Sequence, residues 1–523
     1  MTPLRFPLGL LLSLGLLFAS ACSSLRHDYV KPPSYVVTAE ASTPLMHYVQ
    51  SETRRHPGLS GFRTLIDNKD ALTTRIALVD RASRSIDLQY YIFDNDATGR
   101  LLALHLLQAG ERSVRVRILL DDINLDNQDA LLDALDASPQ IEVRVFNPLR
   151  TRNPSWLSRA AQFILEARRL NRRMHNKSFV VDNAVAVVGG RNIGDAYFDA
   201  GNTTNFRDMD VISIGPVVAQ ASDAFDAYWN SDAAYPVAAL RSRHRKHPEL
   251  GKVHSTLLQE AHAPAAPAAV QQAESDDEGI SKLVRVMFWG RATLIADEPE
   301  KVDPDNKDPD VFRLSPTIDA LIGHAGSEVL LVSPYFVPGN AGSRYLGGLA
   351  RRGVHVDVLT NSLASSDEIA AHAAYSRRRV AMLKDGVGLY ELRPQSASPP
   401  ATTYGQSRGT SLHAKMGVVD RRYVIVGSMN LDPRSKQYNT ETGILIDCPP
   451  FAEDLARFFA DATAPANAYH LVLENGSRGD PEHVVWLASD DGKPRRFDRE
   501  PDSNAGRRLQ MLLYRLLPIE NLL

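Results

Sequence analysis

A chain of 523 residues, 44% hydrophobic and 23% charged, has a globular composition and is too long for one ordinary core. Its formal net charge of −3 argues against a dedicated nucleic-acid binder, which shows a basic domain or stripe, so no nucleic-acid partner is expected. Two cysteines, Cys22 and Cys448, exclude zinc clusters and a disulfide framework by count.

Residues 1–21 read as a signal peptide, with Arg5 ahead of an apolar run from Leu8 to Ala21 that is too short to span a bilayer. The end, Leu17-Phe18-Ala19-Ser20-Ala21-Cys22, resembles a bacterial lipoprotein cleavage box, with Ala19 where Leu is usual. That resemblance implies a lipidated Cys22 on a periplasm-facing lipoprotein of the cell envelope. Ser23 then favours the outer membrane over the inner. An ordinary signal peptide containing a cysteine is the alternative. Cys448 is expected to be a buried apolar residue. Residues 22–58, with Pro32, Pro33 and Pro44, read as a tether able to span roughly 35 Å.

From residue 59 the pattern alternates between strand and helix. Ile86–Phe93 reads as a strand, Gly99 to Ala109 as a helix, and Val114–Leu120 as the next strand. The same order returns with Glu328–Val332, a helix near Tyr345 to Arg351, and Val354–Leu359. The expected fold is therefore α/β: two similar domains, 59–250 and 313–523, each a mixed β-sheet flanked by helices and packed around one shared active site. Residues 251–312, with an Ala/Pro-rich run and clustered acids, read as a linker. Leu149 to Met174 mixes seven arginines with Trp156, Phe163 and Ile164, as in a basic amphipathic helix that either packs on the body or meets an anionic lipid surface. The apolar run Leu509 to Leu523 is expected to pack on the second domain, with membrane contact as the alternative.

The strongest signal is a pattern present twice. His175-Asn176-Lys177, Asp182, Gly189 and Asn192 are matched, spacing for spacing, by His413-Ala414-Lys415, Asp420, Gly427 and Asn430. Such a set arises by chance roughly once per million starting positions. On an extended strand, His and Lys two residues apart share a face. A hairpin turn at the Asp would return the chain so that Asn is delivered near them. Imidazole, ammonium and carboxamide together suit a phosphate. Two such halves face to face would place two histidines on opposite sides of one phosphorus. One would attack and the other would protonate the leaving alcohol. No metal or cofactor is required, since the lysines and asparagines neutralise the phosphate.

This double His-x-Lys-x4-Asp pattern resembles that of the phospholipase D superfamily. The resemblance implies that His175 is the nucleophile and His413 the general acid and base. It implies that Lys177, Lys415, Asn192 and Asn430 bind phosphate, and that Asp182 and Asp420 are structural. Each histidine also needs a carboxylate partner. Glu441 is the match in the second half, and Asp208 in the first, with Asp210 as the rival. Gly190–Phe198, Ser333–Pro338, Thr360–Asp367 and Leu516–Glu520 resemble bacterial cardiolipin synthases of the C-type branch. That implies a phosphatidyl transferase working through a phosphohistidine on phospholipids such as phosphatidylglycerol, phosphatidylethanolamine or cardiolipin, at a membrane surface. Hydrolysis of the same phosphodiesters is the alternative. The need for an accessory protein stays open.

Overall fold

The computed structural model describes residues 29–39, 43–125, 128–149, 166–201, 205–240, 249–261, 263, 267–273, 286–394, 410–474, 482–518 and 520. The signal peptide, Cys22 and most of the arginine-rich segment fall outside them.

The first half contains β1 (Ser60–Leu65), β2 (Ser85–Tyr90), β3 (Arg115–Asp121), β4 (Ile141–Phe146), β5 (Ser178–Val181), β6 (Val185–Gly189), the short β7 (Asn205–Arg207), β8 (Asp210–Ile214) and β9 (Ala234–Pro236). Its sheet runs β1-β8-β6-β5-β2-β3-β4-β9. Only the β2–β3 and β3–β4 pairs are parallel. These are the pairs joined through helices, as a parallel crossover requires. The second half contains β10 (Phe288–Ala296), β11 (Glu328–Val332), β12 (His355–Asn361), β13 (Gly388–Leu392), β14 (Thr410–Leu412), β15 (Met416–Val419), β16 (Tyr423–Gly427), β17 (Thr442–Asp447), β18 (Ala468–Glu474), β19 (His483–Asp490) and β20 (Lys493–Phe497). Its sheet runs β10-β17-β16-β15-β11-β12-β13-β18, with β19 and β20 added at the far edge. Strand for strand, this repeats the first half.

Helices α1 (Asn68–Arg81), α2 (Ala97–Glu111) and α3 (Pro216–Asn230) flank the first sheet; α4 (Gly339–Arg351), α5 (Ile369–Ser376), α6 (Pro449–Ala462) and α7 (Ala505–Leu516) flank the second. Local chemistry starts them: Asp67 caps α1 by accepting from Lys69 N and Asp70 N, and Asp96 caps α2 by accepting from Gly99 N. Strand β2 is buried along its whole length, since helices cover both faces of the sheet around it. No helix among the described residues is long and apolar enough to cross a membrane.

Two expectations are corrected. The stretch 251–312 is no simple linker, because it carries β10, a nine-residue strand. Phe288–Gly290 pair with β1, while Arg291–Ala296 pair with β17, so β10 joins the two sheets edge to edge. Its Phe288, Trp289, Leu294 and Ile295 are strand formers hidden in sequence between polar flanks. Part of the tether, around residues 32–36, also lies on the body. Ser34 N donates to Asn230 Oδ1, Val36 N to Asp226 Oδ2, and the Arg144 guanidinium to Pro32 O at 2.9 Å. Each such bond offsets the entropy of ordering a segment that composition alone marks as loose. Cys448 is buried, as expected.

Candidate active site

Each motif folds as a hairpin. The β5–β6 turn places Asp182 and Asn183 at φ 53° and 50°, and the β15–β16 turn places Asp420 and Arg421 at 52° and 49°. Two consecutive left-handed residues define the turn whose twist matches a hairpin, and Asp and Asn tolerate it. The Asp182 carboxylate accepts from Arg84 N at 2.8 Å, Ser85 N at 2.9 Å, Ser83 N and Ser83 Oγ. Asp420 likewise accepts from Gly326 N, Ser327 N, Ser327 Oγ and Glu328 N. Both aspartates thus clamp a hairpin to the start of its neighbouring strand, β2 or β11.

The residue ahead of each histidine is held from the end of the third strand in its half. Met174 N donates to Asp121 Oδ2 at 2.8 Å, and Asp121 also pairs with Arg173 in full burial. At the matching place Leu412 N donates to Asn361 Oδ1 at 2.8 Å, and the Asn361 amide donates back to Leu412 O. Asp121 and Asn361 were not anticipated as site residues because they lie far from the motifs in sequence, and Arg173, beside His175, reads in sequence only as part of the arginine-rich segment.

The two halves then cross. Residue His175 N donates to Thr440 O and Thr440 N to Arg173 O, a parallel bridge between halves. Strand β14 pairs with β7, and His413 N donates to Arg207 O at 2.7 Å. Each histidine is thereby delivered to the carboxylate of the opposite half. His175 Nδ1 lies 2.9 Å from Glu441 Oε2, and His413 Nδ1 lies 2.5 Å from Asp208 Oδ2. Asp210, the rival, instead pairs with the buried Arg75 and Arg191. With Nδ1 engaged on both rings, each Nε2 is left for substrate. The two residues keep 7% and 5% of their surface exposed.

The rest of the motif surrounds them. Lys177 Nζ donates to His175 O at 2.7 Å and faces the Tyr91 ring at 5.3 Å. Lys415 Nζ lies 2.9 Å from His413 Nδ1 and also donates to His413 O. Burial depresses both ammoniums, Lys177 to about 7 with Lys415 adding to the effect, and Lys415 to about 8 against the pull of Asp208 and Glu441. Burial and the Lys177 and Lys415 charges hold His175 well below its ordinary range. Burial and Lys415 lower His413 against the pull of Asp208. Burial lifts Glu441 to about 7 against the pull of Lys177. A buried cluster of cations that resists its own charge is a site prepared for an anion.

The asparagines differ. Asn192 Nδ2 donates to Tyr197 Oη at 2.8 Å and its Oδ1 accepts from Ile92 N. Asn430 is buried, and its Oδ1 has no partner. Aromatic rings complete the walls: Tyr91 stands edge-on to His175, and Tyr197, Phe206 and Tyr335 stand around His413. Tyr335 Oη donates to Asp367 at 2.6 Å. Ser428 Oγ donates to Glu441 Oε2 at 2.5 Å, and Asp297 accepts from Glu441 N while pairing with Lys301. Ser428 sits inside the motif, so its position was readable although its role was not.

One buried group of metal-capable side chains occurs among the described residues: His372, Glu391 and Glu500. The Arg379 guanidinium lies 2.7 Å from Glu391 and 2.5 Å from Glu500, taking the place a cation would occupy.

Comparison with known proteins gives three findings. A family model described as "Cardiolipin synthase, PLD-like domain" matches residues 76–229 and 318–462. Cardiolipin synthase C of Escherichia coli (strain K12) is 37% identical over 477 residues, covering 90% of this chain and 97% of that protein; an uncharacterized protein of Helicobacter pylori is 31% identical over 518 residues, 97% of this chain and 98% of that one. Among solved structures, the phosphatidylserine synthase of Haemophilus influenzae Rd KW20 superposes with a TM-score of 0.55 at 11% identity, covering 91% of this chain and all of that one, a likeness of fold.

Proposed function

Because the chain belongs to the phospholipase D-like cardiolipin synthase family, it is a phosphatidyltransferase, and we propose that it moves a phosphatidyl group between phospholipids through a phosphohistidine on His175. Acting as nucleophile, His175 Nε2 forms the P–N bond as the P–O bond to the head-group alcohol breaks. His413 gives that alkoxide its proton from Nε2. The acceptor hydroxyl then returns a proton to His413 and attacks phosphorus, breaking the P–N bond and restoring both imidazoles. The observation that carries this reading is the pair of crossed contacts, His175 with Glu441 and His413 with Asp208. Glu441 favours the positive charge that develops on His175 in attack. Asp208, together with the arriving phosphate anion, favours the protonated His413 that the leaving group needs. Lys177, Lys415 and Asn430 take the non-bridging oxygens, while Asn192 shapes the wall through Tyr197 and Ile92.

The lipid pair we propose is a phosphatidylglycerol acceptor, whose head group carries the free hydroxyl, with a second phosphatidylglycerol or phosphatidylethanolamine as donor, met at a membrane surface. An envelope location through the Cys22 anchor belongs to the same proposal. The test is purified protein on mixed vesicles of both lipids, with products identified by mass spectrometry. Cardiolipin with released glycerol or ethanolamine supports transfer. Phosphatidic acid alone would replace transfer with hydrolysis. Turnover should persist in chelator.

A further inference from the structure

Helix α7 presents its apolar stripe the wrong way for a soluble protein. Leu509, Leu512, Leu513 and Leu516 fall at i, i+3, i+4 and i+7, the spacing that elsewhere faces a core. Here they are 60%, 52%, 56% and 81% exposed, and Leu517 continues the face. Toward the body the helix instead turns Met511, buried against Leu363 and Ala373, with Tyr514 packed beside it. Its arginines also serve the body side: Arg507 Nε donates to Leu363 O and its guanidinium to Ser366 O, while Arg508 donates to Ser503 and Glu500. Five of the six exposed leucines among the described residues lie in this one segment. An outward leucine stripe locked in place by inward arginines is a surface held ready for an apolar medium.

Its position says which medium. The Leu363–Ser366 segment that receives Arg507 leads into Asp367, which accepts from Tyr335 Oη and Ser411 Oγ. Tyr335 stands against His413. Only one loop therefore separates the helix from the wall of the catalytic centre. Past the end of the helix, Pro518 and Glu520 border a cavity of about 650 Å³ with Phe336, Leu346, Met429 and Leu431 on its walls and Arg377 and Arg378 at its rim. Met429 and Leu431 flank Asn430, and Phe336 follows Tyr335, so segments that line the cavity also supply the active site. Its charged lining is internally paired, Arg378 with Glu520 and Lys436 with Asp319, so the cavity suits the apolar chains of an amphiphile without selecting a head-group charge.

We propose that the leucine face of α7 docks into a phospholipid bilayer and brings the active site to the lipid surface. This rests on the phospholipid-transfer reading and deepens it. The occupant is the bilayer rather than a second copy, because the face adjoins both the site and a cavity with lipid-like chemistry.

The test uses the full chain with Cys22→Ser and Leu512→Cys carrying an environment-sensitive dye, mixed with phosphatidylglycerol–phosphatidylethanolamine vesicles. Dye emission should shift to the blue and be quenched by lipids bearing a mid-chain quencher, whereas a dye at Leu258→Cys, an exposed leucine elsewhere, should not respond. In the unlabelled chain, Leu509→Glu with Leu516→Glu should raise the half-saturating vesicle concentration roughly tenfold. Turnover of monomeric short-chain phosphatidylglycerol should stay unchanged. The milder Leu509→Ser with Leu513→Ser should move the same way and serves if the charged pair fails to fold. An unresponsive dye at 512, equal responses at 512 and 258, an unchanged vesicle requirement, or a vesicle-free dimer that the variants split would overturn the proposal. A dye that enters the bilayer while no lipid is turned over would overturn the function reading and leave the docking face standing.

Discussion

The two halves repeat one another strand for strand, yet their histidines stand in different surroundings. His175 faces a glutamate lifted to about 7, braced by Ser428 Oγ and by a backbone N–H bond to the Asp297–Lys301 pair. His413 faces an aspartate held below its ordinary range, despite burial, by His413 and Lys415. The position of Ser428 is occupied in the first half by Gly190, where a Cβ would come within 2.2 Å of Asp208 Oδ1. Glycine admits the shorter, closer carboxylate; serine supplies a hydrogen bond to the longer one. Ring walls differ too, with one aromatic on His175 and three around His413 among the described residues. Duplication preserved the frame and left the side chains nearest each imidazole free to diverge, as two different proton tasks require.

The sharpest way to break this asymmetry is to remove each ring. His175→Ala should abolish turnover by a factor on the order of 10⁴ or more and eliminate acid-labile phosphoenzyme. His413→Ala should lose comparable turnover with natural lipids but still form phosphoenzyme from a substrate with a good leaving group. Equal labelling in both variants, measured by rapid quench, would make the halves interchangeable.

Next come the carboxylates. Glu441→Gln and Asp208→Asn should each cost roughly 100-fold in kcat. Because the pairs are crossed, the first should slow phosphoenzyme formation, whereas the second should steepen dependence on leaving-group pKa. The free enzyme's kcat/KM should fall as pH drops through about 7, where Glu441 gains its proton. It should also fall as pH rises through about 7 to 8, where Lys177 and then Lys415 lose theirs. In Glu441→Gln the acid limb at about 7 should vanish and the basic limb remain.

A smaller effect separates the asparagines. Asn430→Ala should raise KM about tenfold with little change in melting temperature, since its Oδ1 is unpartnered. Asn192→Ala leaves Ile92 N and Tyr197 Oη without partners and should cost about 2 kcal/mol of stability in denaturant titration.

Smallest for activity, the hairpin clamps should differ in stability alone. Asp182→Ala orphans buried donors and should cost about 3 kcal/mol, while the more exposed Asp420→Ala should cost about 1 kcal/mol. Calorimetry of both variants measures the difference.

Much of this was legible before any coordinates. The paired motifs, the hairpins and the repeated strand–helix order declare themselves, because hairpin geometry ties spacing to position. Asp208 and Glu441 could be picked out through the family resemblance, which places a carboxylate after each motif. The crossing could not, since local spacing says nothing of which half's carboxylate reaches which ring; that follows from bridges such as Thr440 with Met174. Asp121, Arg173, Asn361 and Lys301 act across long sequence separations and carry no local mark. β10 was hidden because its strand formers sit among the charges that signal a loop. The apolar run from Leu509 is expected to pack on the second domain, and α7 does so, but through Met511, Tyr514 and Arg507, whose contacts lie more than a hundred residues away, with its leucines turned outward.

The crossed bridges have one further bearing, on biosynthesis. While the chain is still emerging, the N-terminal half already displays His175 and Lys177, but the carboxylate that equips His175 arrives only with residue 441. Both catalytic pairings are therefore incomplete until the segment carrying His413 and Glu441 has been made and docked, when each imidazole meets a partner synthesised long before or long after it.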